Sequence, residues 1–380
     1  MKSTTVQFTA DGRWVGDLSK EWDSENTVVF VFGASKFFAD RTPFRMLTNV
    51  FEKARIVGCS TSGEIMGDQV FDDTLSVGIV KFDSTKTREA FVTISDPSKS
   101  YEAGQDLASR LVEPGLRAIL VFSAGDNVDS AALAAGINER VRGEAVVTGG
   151  FAGDGARFLE TWVLSNGEPR RRAVSALALY GDKLRISYGS KGGFNIFGPE
   201  RFVTRAEGST LYEFDGEPAL PIYKKYLGDL AEQLPAIGLL FPLHLVGPDT
   251  ERPIVRAVRT INDDDGSIGF FGDIPNGYRA QLMRANFEQI ISAAGDVAQS
   301  ALRNIGEQSD DVFALSISCI GRRLLLGQRT DEELETTLEA LPPSARQIGF
   351  YSYGELAPFV STTCDLHNET MTMTLLSESA

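Results

Sequence analysis

Hydrophobic positions along the chain repeat one rhythm three times. Thr27-Val28-Val29-Phe30-Val31-Phe32 is an unbroken β-branched and aromatic run, the pattern of a strand buried on both faces. A helix is predicted next, with Thr42 as cap, Pro43 at its first position and Phe44, Leu47, Val50 and Phe51 on one face. Ile56-Val57 then reads as a second strand. The rhythm returns as Ala118 to Phe122, an alanine-rich helix from Ser130 to Val141 stopped by Gly143, and Ala145-Val146-Val147. Its third form is Val312 to Ile317, a helix opened by the capping box Thr330-Asp331-Glu332-Glu333 and carrying Leu334, Leu338 and Leu341, and Ile348. Strand, helix, strand implies a βαβ-type unit with parallel pairing.

Each unit runs into a glycine-rich turn. The first is Gly58-Cys59-Ser60-Thr61-Ser62-Gly63-Glu64 and the last Gly349-Phe350-Tyr351-Ser352-Tyr353-Gly354-Glu355, both spelling Gly, four residues, Gly-Glu. Between them stands Gly149-Gly150-Phe151-Ala152-Gly153-Asp154-Gly155. Glycine permits tight turning and close backbone approach, and consecutive N–H groups can cradle an anion. The two Gly-Glu turns are expected to meet at one cleft. Beyond the first two turns, 75–80 with 88–94 and 174–179 with 184–188 read as antiparallel hairpins.

The chain is therefore expected to be α/β, with repeated strand-helix-strand-hairpin units in two mixed-sheet domains and an internal duplication. Residues 1–26 form a lead-in and 27–213 an N-terminal domain, with repeats at about 27–95 and 117–190. Residues 214–380 form a C-terminal domain, with the third repeat at about 311–376. Within it, Pro242 to Asp273 is strand-rich. Phe287, Ile290, Ile291, Ala294, Val297, Ala298, Ala301 and Leu302 form one apolar helical stripe stopped by Gly306.

Charge narrows the function. A formal net charge of -15 argues against a nucleic-acid surface. Arg170-Arg171-Arg172 reads as a solvated loop, and Asp263-Asp264-Asp265-Gly266 as a tight turn without the later ligands of a calcium loop. No apolar run approaches the ~20 residues of a membrane span, and no signal peptide opens the chain. Three widely spaced cysteines, Cys59, Cys319 and Cys364, suit a reducing cytoplasm.

There are two histidines. His244 sits in the apolar run Leu239 to Val246 and is expected to be a core or rim residue. His367 sits in the polar segment Cys364-Asp365-Leu366-His367-Asn368-Glu369-Thr370. It faces either a ligand site or the backbone. On a strand, Asp365 and Glu369 would share its face. Cys364 and His367 have a metal-like spacing, but structural zinc needs about four ligands and no second pair is evident. Cys59 follows a strand and a glycine, as nucleophiles do, and would need His367 or Arg322 beside it.

Five segments together resemble the FIST sensory family: the turns at 58–64, 149–154 and 349–355, Ser318-Cys319-Ile320-Gly321-Arg322, and Leu366-His367-Asn368-Glu369-Thr370-Met371-Thr372. The resemblance spans about residues 25 to 376. It implies cytoplasmic signal transduction and small-ligand sensing rather than enzymatic activity. A free-standing chain is similar to the haem-containing nitric-oxide sensors of that family, which regulate a histidine kinase or cyclic-di-GMP enzymes. The resemblance carries the haem ligand onto His367. The alternative is a haem-free metabolite sensor, for an amino acid for example. Cys59, Ser60, Thr61, Ser62, Gly63, Cys319, Ser352 and Tyr353 would line its site, Arg322 would grip a carboxylate, and Glu64 or Glu355 an amine. A cysteine-dependent enzyme using Cys59 is the third reading. A homo-oligomer is left open.

Overall fold

The computed structural model describes residues 1–248, 253–305, 311–358 and 363–379. The expected Gly306 helix stop lies outside the described residues. Each rhythm forms a parallel strand pair: Thr27–Gly33 with Arg55–Ser60, Leu116–Ser123 with Val146–Phe151, and Phe313–Cys319 with Arg346–Ser352. One glycine recurs at the same register in all three, Gly58 beside Val31, Gly149 beside Val121 and Gly349 beside Ser316. A Cβ there would stand 1.9, 1.9 and 1.6 Å from the neighbour's carbonyl oxygen, so only glycine fits.

The strand after each turn leaves its own repeat. Glu64–Met66 pairs with Arg346–Ser352 of the third repeat, Gly354–Pro358 with Val146–Phe151 of the second, and Val163–Ser165 with Arg55–Ser60 of the first. Three mixed sheets close on one another this way. Their inner faces share a phenylalanine core: Phe30 stacks on Phe313 at 5.4 Å, Phe32 on Phe350 at 4.8 Å, and Phe122 meets both Phe30 and Phe32. Each fully buried ring contributes about 1.5–3 kcal/mol.

The α/β class and mixed sheets are as expected, but the two hairpins do not close. Leu75–Lys81 stays in the first sheet beside Thr27–Gly33, whereas Lys86–Thr93 crosses to the second beside Ala173–Tyr180. Ala173–Tyr180 pairs with Leu116–Ser123, and Leu184–Lys191 crosses to Met371–Glu378 in the third sheet. Local alternation specifies strand, turn, strand, but not which neighbour each arm takes. The first crossing is pinned by Glu378, whose carboxylate accepts from the N–H groups of Asp83, Ser84 and Thr85 at 2.6, 3.0 and 2.8 Å. Burial works to raise its pKa, but these donors and the Thr85 hydroxyl outweigh burial and hold it at about 2.

The architecture changes at residue 195. From Asn195–Glu207 to Arg279–Arg284 the chain builds a separate eight-stranded antiparallel sheet. Helix Ala219–Leu227 covers one face of it through Leu220, Tyr223 and Leu227. The chain enters this inserted sheet through Gly192-Gly193 and leaves it into helix Phe287–Ile305; of its predicted apolar stripe, Ile290, Ala294, Val297, Ala298 and Ala301 are buried, Ile291 and Leu302 partly so, and Phe287 is exposed. The acidic run is a turn between Val258–Asn262 and Ser267–Phe270, with Asp265 accepting from the Ser267 N–H at 3.0 Å. Arg171 is exposed and paired with Glu160. No described helix is long and apolar enough to cross a membrane.

Candidate functional site

The three glycine turns do meet. Gly153 N–H donates to Ser60 O at 2.9 Å, Ser62 N–H to Tyr351 O at 2.8 Å, Tyr351 N–H to Gly63 O at 2.9 Å, and Tyr353 N–H to Phe151 O at 3.0 Å. The junction is closed rather than a cleft, because its polar side chains are used up internally. Ser60 Oγ accepts from Trp162 N–H at 3.0 Å, and Ser62 Oγ donates to Gly155 O at 2.7 Å. Thr61 donates to Glu64, which also accepts from Thr74 N–H at 3.1 Å and its hydroxyl at 2.9 Å. Ser352 donates to Glu355, which takes the Thr370 hydroxyl at 2.8 Å. Tyr353 OH donates to Asp154, whose carboxylate caps the N–H groups of Phe158, Leu159 and Glu160. The carboxylates thus brace the strands that follow them. Burial lifts Glu64 to about 7 and Glu355 to about 8.

Cys59 and Cys319 are buried in apolar clusters, and burial pushes both thiols up. A nucleophilic cysteine needs the opposite shift. Cys59 shares its cluster with Phe32, Val57 and Val163 and is wholly buried. Gly63, at φ 134°, lies under the Arg323 guanidinium, which pairs with Asp72 at 2.7 Å.

Arg322 does not reach for a ligand carboxylate. It is wholly buried and ion-paired with Glu333, its Nε donating to Glu333 Oε1 at 2.7 Å. Its Nη1 bonds Gly192 O and its Nη2 donates to Ile290 O at 3.1 Å, so one guanidinium holds both crossings to the inserted sheet. The predicted capping box is not formed for the same reason. The Glu333 carboxylate is drawn to Arg322 and accepts from Ser318 Oγ at 3.2 Å and Tyr351 OH at 2.8 Å.

The ligand-sized space lies elsewhere, at the seam between the inserted sheet and the three repeats. It is a cavity of ≈ 1130 Å³. One wall is the free face of the sheet, with Ile196, His244, Val255 and Met283. The other is the first half of helix Phe287–Ile305, and the segment 365–370 closes the end. Of the site residues expected from sequence, His367 is the one that lines it among the described residues. His367 ends strand Cys364–His367, is buried, and its Nε2 lies 3.0 Å from Ala357 O. A carbonyl partner requires Nε2–H, which places the ring's lone pair on Nδ1. Asp365 lines the cavity two residues earlier. Glu369 lines the cavity as well, but not from the strand face expected. At φ 59° it has left the strand, and its carboxylate packs on Gly321, where a Cβ would stand 2.4 Å away. Both carboxylate oxygens lack a hydrogen-bond partner among the described residues, and burial together with Glu355 raises its pKa.

Sequence reasoning missed His244, which shares the cavity with His367. The only available signal was its position in a short alternating strand, Leu243–Val246, with leucines on the other face. The cavity's charges are largely answered: Lys191 pairs with Asp296 at 2.6 Å and Glu288 with Arg329 at 2.9 Å. No group of three or more His, Cys, Asp or Glu side chains among the described residues could hold a metal ion.

Three repeated α/β sheets, an inserted antiparallel sheet and a large cavity at their seam make up the described chain. The chain belongs to the FIST family: the FIST N domain matches residues 27–217 and the FIST C domain residues 219–358. FIST domains are sensory ligand-binding domains in signal transduction, and the family is not typically enzymatic. Among solved structures, a cyanuric acid hydrolase from A. caulinodans aligns over 100% of this chain and 99% of its own, at 8% identity and a TM-score of 0.36. No curated protein sequence matches the chain.

Proposed function

We propose that the chain is a cytoplasmic sensor that holds a haem in the seam cavity through His367 and reports nitric oxide to a histidine kinase or a cyclic-di-GMP enzyme. The observation that carries this reading is His367 itself, a buried imidazole with an orienting carbonyl partner on the wall of a large cavity. The cavity suits the group. Its volume lies just above the usual range of small-molecule sites, about 300–1,000 Å³, and Phe194, Ile196, Ile254, Val255, Met283 and Leu366 give it apolar walls. A bound haem supplies an iron position that nitric oxide can take. The chain's part would be to present the His367 imidazole and keep it oriented through Ala357 O.

The test is titration with hemin, followed by absorption with and without nitric oxide, for the unmodified chain and His367→Ala. The unmodified chain should develop a Soret band that nitric oxide shifts. The variant should lose or alter it while its circular dichroism is unchanged. A variant spectrum identical to the unmodified one overturns the assignment. Ser190, Asn195, Asn286, Gln289, Ser292 and Thr370 also line the cavity and favour a second reading, a polar metabolite in the same space. That reading takes over if the unmodified chain takes up no hemin.

A further inference from the structure

We infer that His244 is a second ligand-contacting side chain, so that the bound ligand spans the seam between the inserted sheet and the repeats. This inference rests on the haem reading above and adds to it the opposite wall of the site. Strand Leu243–Val246 alternates: Leu243 and Leu245 are buried in the core beneath helix Ala219–Leu227, which turns His244 to the cavity face. Its register partners there are Val255 on one side and Gln281 on the other. Val255 and Met283 of the adjoining strands line the cavity with it. Among the described residues of this stretch of wall, His244 and Met283 carry side chains that can ligate haem iron. It is half-buried and has no hydrogen-bond partner among the described residues.

The half-buried ring lines the cavity, so a bound ligand can supply the partner that the described residues do not. Burial, and then the Arg279 charge, lower its pKa from the ordinary 6.5. A neutral imidazole can ligate iron or accept a hydrogen bond. The facing groups on the other elements are Gln289 and Ser292 of the long helix, with Asp365 and His367 of the C-terminal strand. His367 belongs to the repeats and His244 to the inserted sheet. A ligand touching both bridges two bodies that the chain itself joins through 192–195 and 284–287.

The experiment titrates the full chain and its His244→Ala, His244→Gln and His367→Ala variants with hemin. It also measures hydrogen exchange at 243–246 with and without hemin. Contact predicts at least about a tenfold loss of hemin affinity or a displaced Soret band in His244→Ala, partial recovery in His244→Gln, and hemin-induced protection of 243–246. If His367→Ala loses hemin while both His244 variants bind as the unmodified chain does and 243–246 gains no protection, this inference fails and the His367 assignment stands. If the unmodified chain takes up no hemin, both fail together.

Discussion

Replacing Arg322 with Met tests the buried clamp. The substitution keeps most of the side-chain volume and removes the charge. Glu333, itself wholly buried, keeps the Ser318 and Tyr351 hydroxyls but loses its only described cationic partner. Breaking a buried pair from one side costs about 3–5 kcal/mol. The Gly192 and Ile290 carbonyls lose a donor as well, at about 1 kcal/mol each. These terms overlap, and about 4 kcal/mol is the working expectation. With ~2.1 cal/mol/K of unfolding entropy per residue, 380 residues give about 0.8 kcal/mol/K, so the melting midpoint should fall by about 5 °C if the chain melts as one unit. Circular dichroism reads the midpoint, and hydrogen exchange reads whether 190–195 loosens first. Glu333→Gln supplies the second edge of a double-mutant cycle. The pair should cost less than the sum of the single changes by 1 kcal/mol or more. A drop below about 1 °C, or strict additivity, would refute the clamp.

Two further outcomes follow from the turns. Gly149→Ala places a Cβ 1.9 Å from Val121 O at φ 149° and should cost at least about 3 kcal/mol, seen as loss of soluble protein or a lower melting midpoint; a variant melting with the unmodified chain would show that the strand pair can shift. Glu64 and Glu355 are raised by burial from 4.5 to about 7 and about 8, so the unfolded chain releases these protons at lower pH than the folded one. Their contribution is then complete below about pH 4.5 and declines as pH rises through 7 to 8. Urea midpoints of the unmodified chain and Glu355→Gln at pH 5 and pH 8 check this, with a flatter dependence expected in the variant.

The fold was legible where one residue type has one physical use. Unbroken apolar runs specified the central strands, and the recurring glycines marked positions where a Cβ cannot stand. The partner of each strand was not legible. Lys86–Thr93 and Leu184–Lys191 follow their neighbours through short turns yet pair in other sheets, and nothing in a local alternation distinguishes the two outcomes. Side-chain roles suffered likewise. Glu333 has the spacing of a capping residue, but a buried guanidinium is a stronger claim on it than an N–H. The hydroxyls of Ser60 and Ser62 looked like ligand donors because their internal partners, Trp162 and Gly155, lie in another repeat. His367 was found through its polar segment. His244 was missed because the cavity it faces is formed by the helix and by segment 365–370, far along the chain.

In a solenoid, units stack in a line and can fray from either end. The strand exchange described above runs first to third, third to second and second to first, so it forms a loop of dependencies with no outer unit to fray. Removing any one repeat strips an edge from another. Its contacts join residues hundreds of positions apart, such as Glu64 with Phe350, so little of it can close before most of the chain has been assembled. Such a ring resists partial opening. The inserted sheet contributes no strand to that loop; buried contacts fasten it to the repeats, the Ala257 N–H donating to Asn368 Oδ1 and Phe271 packing on Phe158. The cavity therefore has a closed ring on one side and, on the other, a sheet that belongs to none of the ring's strand exchanges.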